Sequence, residues 1–244
     1  TTNYQPPPTT NYQPTMHDFT FDQPAYRVIF GVGSIAKLPD EVKRLGSRAL
    51  VVSTPAEVAF AQDVARRLGP LAAGMFTDAV MHHPIDVIRA ARDRARQLDA
   101  DCYVTIGGGT TTGTGKAIAL ETGMPVIAVP TTYAGSEMTP IYGLTEGGVK
   151  RTGRDRKVLP KAVIYDASLT VSLPPLVSAT SGINAMAHCV EGLYAFDGNP
   201  IVTLMATEGI RALARSLPRV VKEPANLEAR SDALVGQEAV QSEI

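Results

Sequence analysis

Between residues 26 and 132, short runs rich in valine, isoleucine and alanine alternate with segments whose apolar residues recur at helical spacing. That alternation constrains the fold more than any other feature. An unbroken apolar run suits a strand buried on both faces, and β-α-β-α order sets such strands parallel, with helices covering the sheet. The expected strands are "YRVIF" (26–30), "RALVVS" (48–53), "LAAGMF" (71–76), "CYVTI" (102–106) and "MPVIAVPTT" (124–132). The expected helices are 35–45, capped by Ser34 and closed by Gly46, then 56–69 and 84–98, and a fourth after the glycines that follow Ile106.

Ligands of an open parallel sheet bind at the carboxyl ends of its strands. Three loops are expected at that edge: Ser53-Thr54, Gly107–Thr112 and Thr131–Glu137. The middle one opens "GGGTTTGTGK" and suits an anion. Glycines let the backbone approach closely, and the helix that follows offers free N–H groups and a positive dipole end. It departs from both common phosphate-binding spellings. Thr112 stands where G-x-G-x-x-G needs its third glycine. Thr110 and Ala117 break the pattern G-x-x-x-x-G-K-[ST]. A plain glycine turn between strand and helix is the competing reading.

The pattern changes after residue 140. Gly147-Gly148 lie between β-like runs and predict a hairpin, and 161–174 holds one more strand. Beyond Pro175 the chain reads as helical over "VSATSGINAMAHCVEGLYA" and "NPIVTLMATEGIRALARSL". The expected fold class is α/β: an N-terminal parallel-sheet domain over 16–170, followed by an all-helical domain over 171–244. The proline-rich repeat "TTNYQPPPTTNYQPT" (1–15) reads as a disordered or foreign extension, with Met16 as the natural start.

Composition narrows the partners. Of 244 residues, 44% are apolar and 19% charged, as in a soluble globular protein. A net charge of −1 gives no support for nucleic acid or an anionic membrane as partner. No apolar run reaches the roughly 18 residues that span a bilayer. Cys102 and Cys189 sit in apolar segments, which points to reduced thiols and an intracellular setting.

Four histidines are present. His17, His82 and His83 lack partners at metal-ligand spacing; His82 and His83 fall in a strand-to-helix loop, at a solvated or substrate-edge position. His188 shares a helix face with Asn184, four residues earlier, and Glu191 is three residues further on. A lone histidine on an apolar helix is by default a satisfied core residue. Asn184 and His188 make a poor metal site, because zinc or iron wants about three or four good ligands and an amide is a weak one. The cationic run "VKRTGRDRK", with Lys150, Arg151, Arg154, Arg156 and Lys157, reads for the most part as a solvated hairpin.

"GGGTTTGTGKAIAL", "VPTTYAGSEMTPIYG", "KVLPKAVIYD" and "SGINAMAHCVEGLYA" together resemble the iron-containing alcohol dehydrogenase superfamily. Within it, "PTTYAGSEMTP" and "TSGINAMAH" are most similar to the maleylacetate reductase branch. The likeness covers about residues 24–234, and the tail "VGQEAVQSEI" falls outside it. It implies a dinucleotide-binding α/β domain for NADH or NADPH, a helical domain and a cleft between them. By the resemblance, Gly107, Gly108, Gly109 and Thr110 face the pyrophosphate, Thr131, Thr132 and Lys150 lie along the cofactor, and His188 sits near the nicotinamide. The helical domain is incomplete against the family, which continues for roughly another hundred residues.

The resemblance also implies a small dicarboxylate substrate, a cytoplasmic homodimer and no metal. Metal-dependent members carry aspartate where this chain has Asn184. Maleylacetate is a conjugated enone, so hydride addition at the carbon β to the ketone gives an enolate that hydrogen-bond donors can hold. His188 is the expected enolate partner or proton donor, with Tyr133 the second candidate. The alternatives are a metal-dependent alcohol or polyol dehydrogenase on the same fold, a P-loop nucleotidase, and an inactive nucleotide-binding or interaction module. Neither an acidic group for a ribose nor an arginine for a 2′-phosphate stands out.

Overall fold

The computed structural model of the chain describes residues 27–196 and 198–241. The repeat at 1–15, Met16 and His17 lie outside these residues. Six parallel strands form the central sheet: β1 (Arg27–Phe30), β2 (Ala49–Val52), β3 (Ala72–Phe76), β4 (Cys102–Gly107), β5 (Val126–Pro130) and, later in the chain, β8 (Ala162–Tyr165). Their order is β1-β8-β5-β4-β2-β3. Helices α1 (Leu38–Leu45), α2 (Val58–Leu68), α3 (Ile85–Gln97) and α4 (Gly109–Thr122) connect the strands, so the expected α/β alternation is present. Ser34 and residues 55–57 form short 3-10 turns ahead of α1 and α2 rather than their first α-helical turns.

Side chains of a strand alternate between faces, and here each face has its own cover. Ala49, Val51, Val104, Ile106, Ile127, Val129 and Ile164 pack with Leu38 and Val42 of α1 and Ala61 and Val64 of α2. Leu50, Val52 and Tyr103 point the other way, against Ile88 and Ala91 of α3 and Ile118 of α4. Further along that second face, Ala128, Val163 and Tyr165 meet helices from the C-terminal region. Every residue of β2, β4, β5 and β8 is buried. Helix α4 is itself almost enclosed, and a Cβ at Gly115 would run into the Thr105 side chain.

The expected hairpin is β6 (Ile141–Glu146) and β7 (Val149–Arg154), paired antiparallel apart from the main sheet. Gly147 and Gly148 turn it with φ of 56° and 78°, the doubly left-handed geometry that suits a two-residue loop. Three helices follow: α5 (Pro175–Tyr194), α6 (Pro200–Lys222, running through Pro218) and α7 (Leu227–Gln241). The sequence reading marked the first two and left α7 unseparated from the general helical character.

Helices α5 and α6 bury one face and expose another. Leu176, Ile183, Tyr194 and Leu204 are all more than half exposed. Ile183, Met186, Leu213, Leu217 and Val221 line an apolar groove between the two helices. Contiguous exposed apolar side chains favour association. The chain is therefore expected to bind a hydrophobic dye and to self-associate at micromolar concentration, and the double variant Ile183→Ser, Leu204→Ser to do both less. Sedimentation velocity with dye fluorescence checks this; a dye-silent monomeric parent would contradict it.

Candidate functional site

Residues 107–110 leave β4 at the middle of the sheet and enter α4. Gly107 has φ of +147°, a region that side chains rarely adopt. Its carbonyl accepts from Thr131 N–H at 3.0 Å, which pins the second loop beside the first. Gly108 is the N-cap of α4 and brings no side chain to the cap, so the backbone donors of the first turn face outward bare. A carboxylate already engages one backbone donor at the turn, the Gly108 N–H. Glu57 Oε1 accepts from Gly108 N–H at 3.2 Å and from Thr131 Oγ1 at 3.3 Å. Its Oε2 accepts from Thr111 Oγ1 at 3.0 Å and Thr54 Oγ1 at 2.8 Å. Glu57 thus gathers one backbone amide and three hydroxyls at the turn.

A cleft of about 390 Å³ opens on the other side of this turn. Gly109, Thr110, Ala134, Ser136, Tyr142, Lys150, Thr152, His82, His83 and His188 line it. So Thr110, Lys150 and His188, named separately from the sequence, meet around one space. Of the five cations in the hairpin run, Lys150 is the one that lines the cleft, and all five are exposed. His188 Nδ1 lies 2.8 Å from Glu191 Oε2, one helical turn on, which orients the ring and leaves Nε2 for a ligand. Asn184 is exposed on the same helix.

Tyr133 is placed differently from the expectation. It is fully buried, and its hydroxyl accepts from the Arg230 guanidinium at 3.3 Å. It belongs to the core beneath the loop and does not face the cleft.

Sequence reasoning gave His82 and His83 only an edge role. Both adopt left-handed backbone, φ 67° and 50°, which is uncommon for residues with a Cβ and collects at functional sites. The hairpin holds this turn: Thr145 N–H donates to His83 O at 3.1 Å and Thr145 Oγ1 to His82 O at 2.7 Å. His83 Nδ1 sits 3.4 Å from Thr114 Oγ1, and its ring fills the space that a Cβ at Gly113 would take. Burial, and then the charge of Lys150, push its pKa down to about 4. The imidazole is neutral at neutral pH.

The donors for a metal are few. His188 and Glu191 are two, the Asn184 amide is weak, and no group of three His, Cys, Asp or Glu converges among the described residues. These residues do not fit the three or four strong ligands that iron or zinc takes.

A family model described as iron-containing alcohol dehydrogenase matches residues 24–167, over half the chain. The C-terminal model of the same family matches residues 178–239. The chain belongs to the iron-containing alcohol dehydrogenase family. The C-terminal match corrects the expected limit of the likeness, since it runs five residues past Leu234 into "VGQEAVQSEI". Among curated members, a maleylacetate reductase of Sphingobium indicum is 59% identical over 218 residues, covering 89% of this chain and 62% of its own length. Another, from Burkholderia cepacia, is 56% identical over 222 residues, covering 91% and 63%. The crystal structure of maleylacetate reductase from Agrobacterium tumefaciens superposes with a TM-score of 0.91 at 51% identity, over 93% of this chain and 65% of that one. The chain therefore spans less than two thirds of these family members.

Two measurements test the geometry. A Cβ at Gly108 would come to 3.0 Å from Thr132 Cγ2 and crowd the turn. Gly108→Val is expected to weaken NADH binding at least about tenfold in a fluorescence titration, with the circular dichroism spectrum retained. Undiminished affinity would rule this turn out as a phosphate site. The second concerns His83, whose ordinary value of 6.5 applies in the unfolded chain. Between pH 6.5 and 4 the unfolded chain binds the extra proton, so stability falls as pH falls through that window and is level above it. The loss should reach about 1–3 kcal/mol, and His83→Gln should flatten it in urea titrations at stepped pH.

Proposed function

We propose that this chain carries the cofactor-binding portion and part of the substrate cleft of an NAD(P)H-dependent maleylacetate reductase. The reaction is reduction of the C=C bond of maleylacetate to 3-oxoadipate, a step in the breakdown of aromatic compounds. One observation carries the reading: the glycine turn, Lys150 and His188 border a single cleft. Identities of 50–59% to proteins named maleylacetate reductase support it.

NADH or NADPH, when bound, supplies the hydride. The chain's own groups do the rest. Gly107, Gly108, Gly109 and Thr110 would hold the pyrophosphate against the backbone donors at the start of α4. Thr131, Thr132 and Lys150 would lie along the cofactor, and Lys150, at the cleft wall, also gives the dicarboxylate a cation. Hydride adds to the alkene carbon β to the ketone, and the electron pair moves onto the ketone oxygen. His188, its ring held by Glu191, donates a hydrogen bond to that enolate from Nε2. A proton at the α carbon completes the product. The buried Tyr133 has no part in this scheme.

Iron gives the family its name, yet the enone spreads charge without a Lewis acid, and the Asn184, His188 and Glu191 donors suit a metal poorly. We take the reduction to be metal-independent on those two grounds. A reduced, cytoplasmic setting and a homodimer complete the proposal. Cys102 and Cys189 are free and buried, with burial first among the causes that push their thiols up to about 12 and about 11. The apolar face of α5 and α6 is open to a partner.

NADH consumption with maleylacetate, with and without a chelator, tests the assignment. Turnover is expected to survive chelation, and His188→Ala to lower kcat by about a hundredfold or more while leaving the NADH affinity unchanged. Stoichiometric metal in the parent, with activity lost on chelation and restored by iron or zinc, would transfer the chain to the metal-dependent alcohol dehydrogenases.

A further inference from the structure

Glu57 is absent from the reaction scheme above, yet its carboxylate sits on the glycine turn. It follows β2, which lies directly beside β4 in the sheet. The chain leaves β2 toward β3 on one side and leaves β4 toward β5 on the other. Adjacent strands whose connections diverge in this way open a crevice at their carboxyl ends, where dinucleotides lie in open parallel sheets. Glu57 projects into that crevice from the β2 side and accepts the Gly108 amide together with the hydroxyls of Thr54, Thr111 and Thr131.

The two sides of the turn differ. Gly109 and Thr110 border the cleft that holds Lys150 and His188. Gly108 and Thr111 face Glu57 instead. A dinucleotide whose pyrophosphate crosses this turn, with its reactive ring in the cleft, carries its adenosine ribose to the Glu57 side. This step rests on the nucleotide reading of the site.

We infer that Glu57 is the specificity-determining residue for the cofactor, and that it selects NADH over NADPH. A carboxylate is acceptor-only, and this one already gathers three hydroxyl donors. Ribose hydroxyls are donors of the same kind. Once the pyrophosphate takes the Gly108 amide, the displaced carboxylate has a diol within reach. A 2′-phosphate brings about two negative charges to the same spot and wants the same donors. Among the described residues, no lysine or arginine pairs with Glu57 to neutralise that repulsion.

The test is a pair of fluorescence titrations, NADH and NADPH, on the parent chain and on Glu57→Gln. The amide keeps the size and removes the charge. The parent is expected to bind NADH about tenfold or more tighter than NADPH, and the variant to bring the two within about threefold, mainly by tightening NADPH. Equal affinities in the parent, or an unchanged ratio in Glu57→Gln, would overturn the inference and leave the nucleotide site standing. Binding of neither dinucleotide would remove the nucleotide reading and the inference with it. Should Glu57→Gln fail to fold, competition on the parent decides. ADP is expected to displace NADH at lower concentration than adenosine 2′,5′-bisphosphate does, and the reverse order overturns the assignment.

Discussion

The carboxylate of Glu137 is where the sheet, helix α4 and the C-terminal helices are tied together. It is 2% exposed. It accepts from Tyr165 OH at the end of β8, at 2.9 Å, and from Gln237 Nε2 of α7, at 3.0 Å. Beside it, Lys116 of α4 is fully buried and donates to Ser136 O at 2.7 Å and to Thr139 Oγ1 at 3.0 Å. Burial pushes the carboxyl up and the lysine down to about 7, while Glu137 works against the lowering of Lys116. Polar groups this deep are costly to strand, by several kcal/mol for a charge without partners. The loop from Thr131 to Thr139 therefore has one low-energy position, held from the sheet, from α4 and from α7.

Arg230 extends the same arrangement. Its guanidinium reaches Tyr133 OH, Thr170 Oγ1 and the carbonyls of Val171 and Pro224, with no exposure of its own. Two side chains of α7 thus grip the loop that presents Thr131 and Thr132 to the carboxyl edge. The helical region is part of what positions this loop at the carboxyl edge, even though none of the expected cofactor residues lies on it. A site assembled this way is preset before a ligand arrives, and binding energy is not diverted to ordering the loop.

Much of the architecture was legible because it follows from period and punctuation. Strands β2, β4 and β5 read as continuous apolar runs because both their faces are covered, and Gly147-Gly148 announced the hairpin. The glycine turn between β4 and α4 was legible for the same local reasons. What stayed hidden depends on contacts across the chain. Glu57 meets Gly108 over 51 residues and Thr131 over 74, and nothing in "STPAEV" marks it as more than a helix-start acid. Tyr133 stood in a loop rich in site residues and so invited a catalytic role. Only the packing of Arg230, 97 residues on, shows that its hydroxyl points inward. Lys116 closed an imperfect P-loop spelling in the sequence, whereas in the fold it serves the neighbouring loop from inside the core.

The charge around His83 bears on what the cleft admits. After burial, the largest influence holding its proton off is the ammonium of Lys150, followed by His82 and Lys116. An imidazolium is disfavoured there first by burial and then by the Lys150 ammonium, which leaves that lysine as the cation at this side of the cleft. Lys150 and the histidine pair line one wall, and His188 with its Glu191 partner stands on another. The His82–His83 turn, held in left-handed backbone by Thr145 of the hairpin, borders the same cleft as Lys150 and the glycine turn.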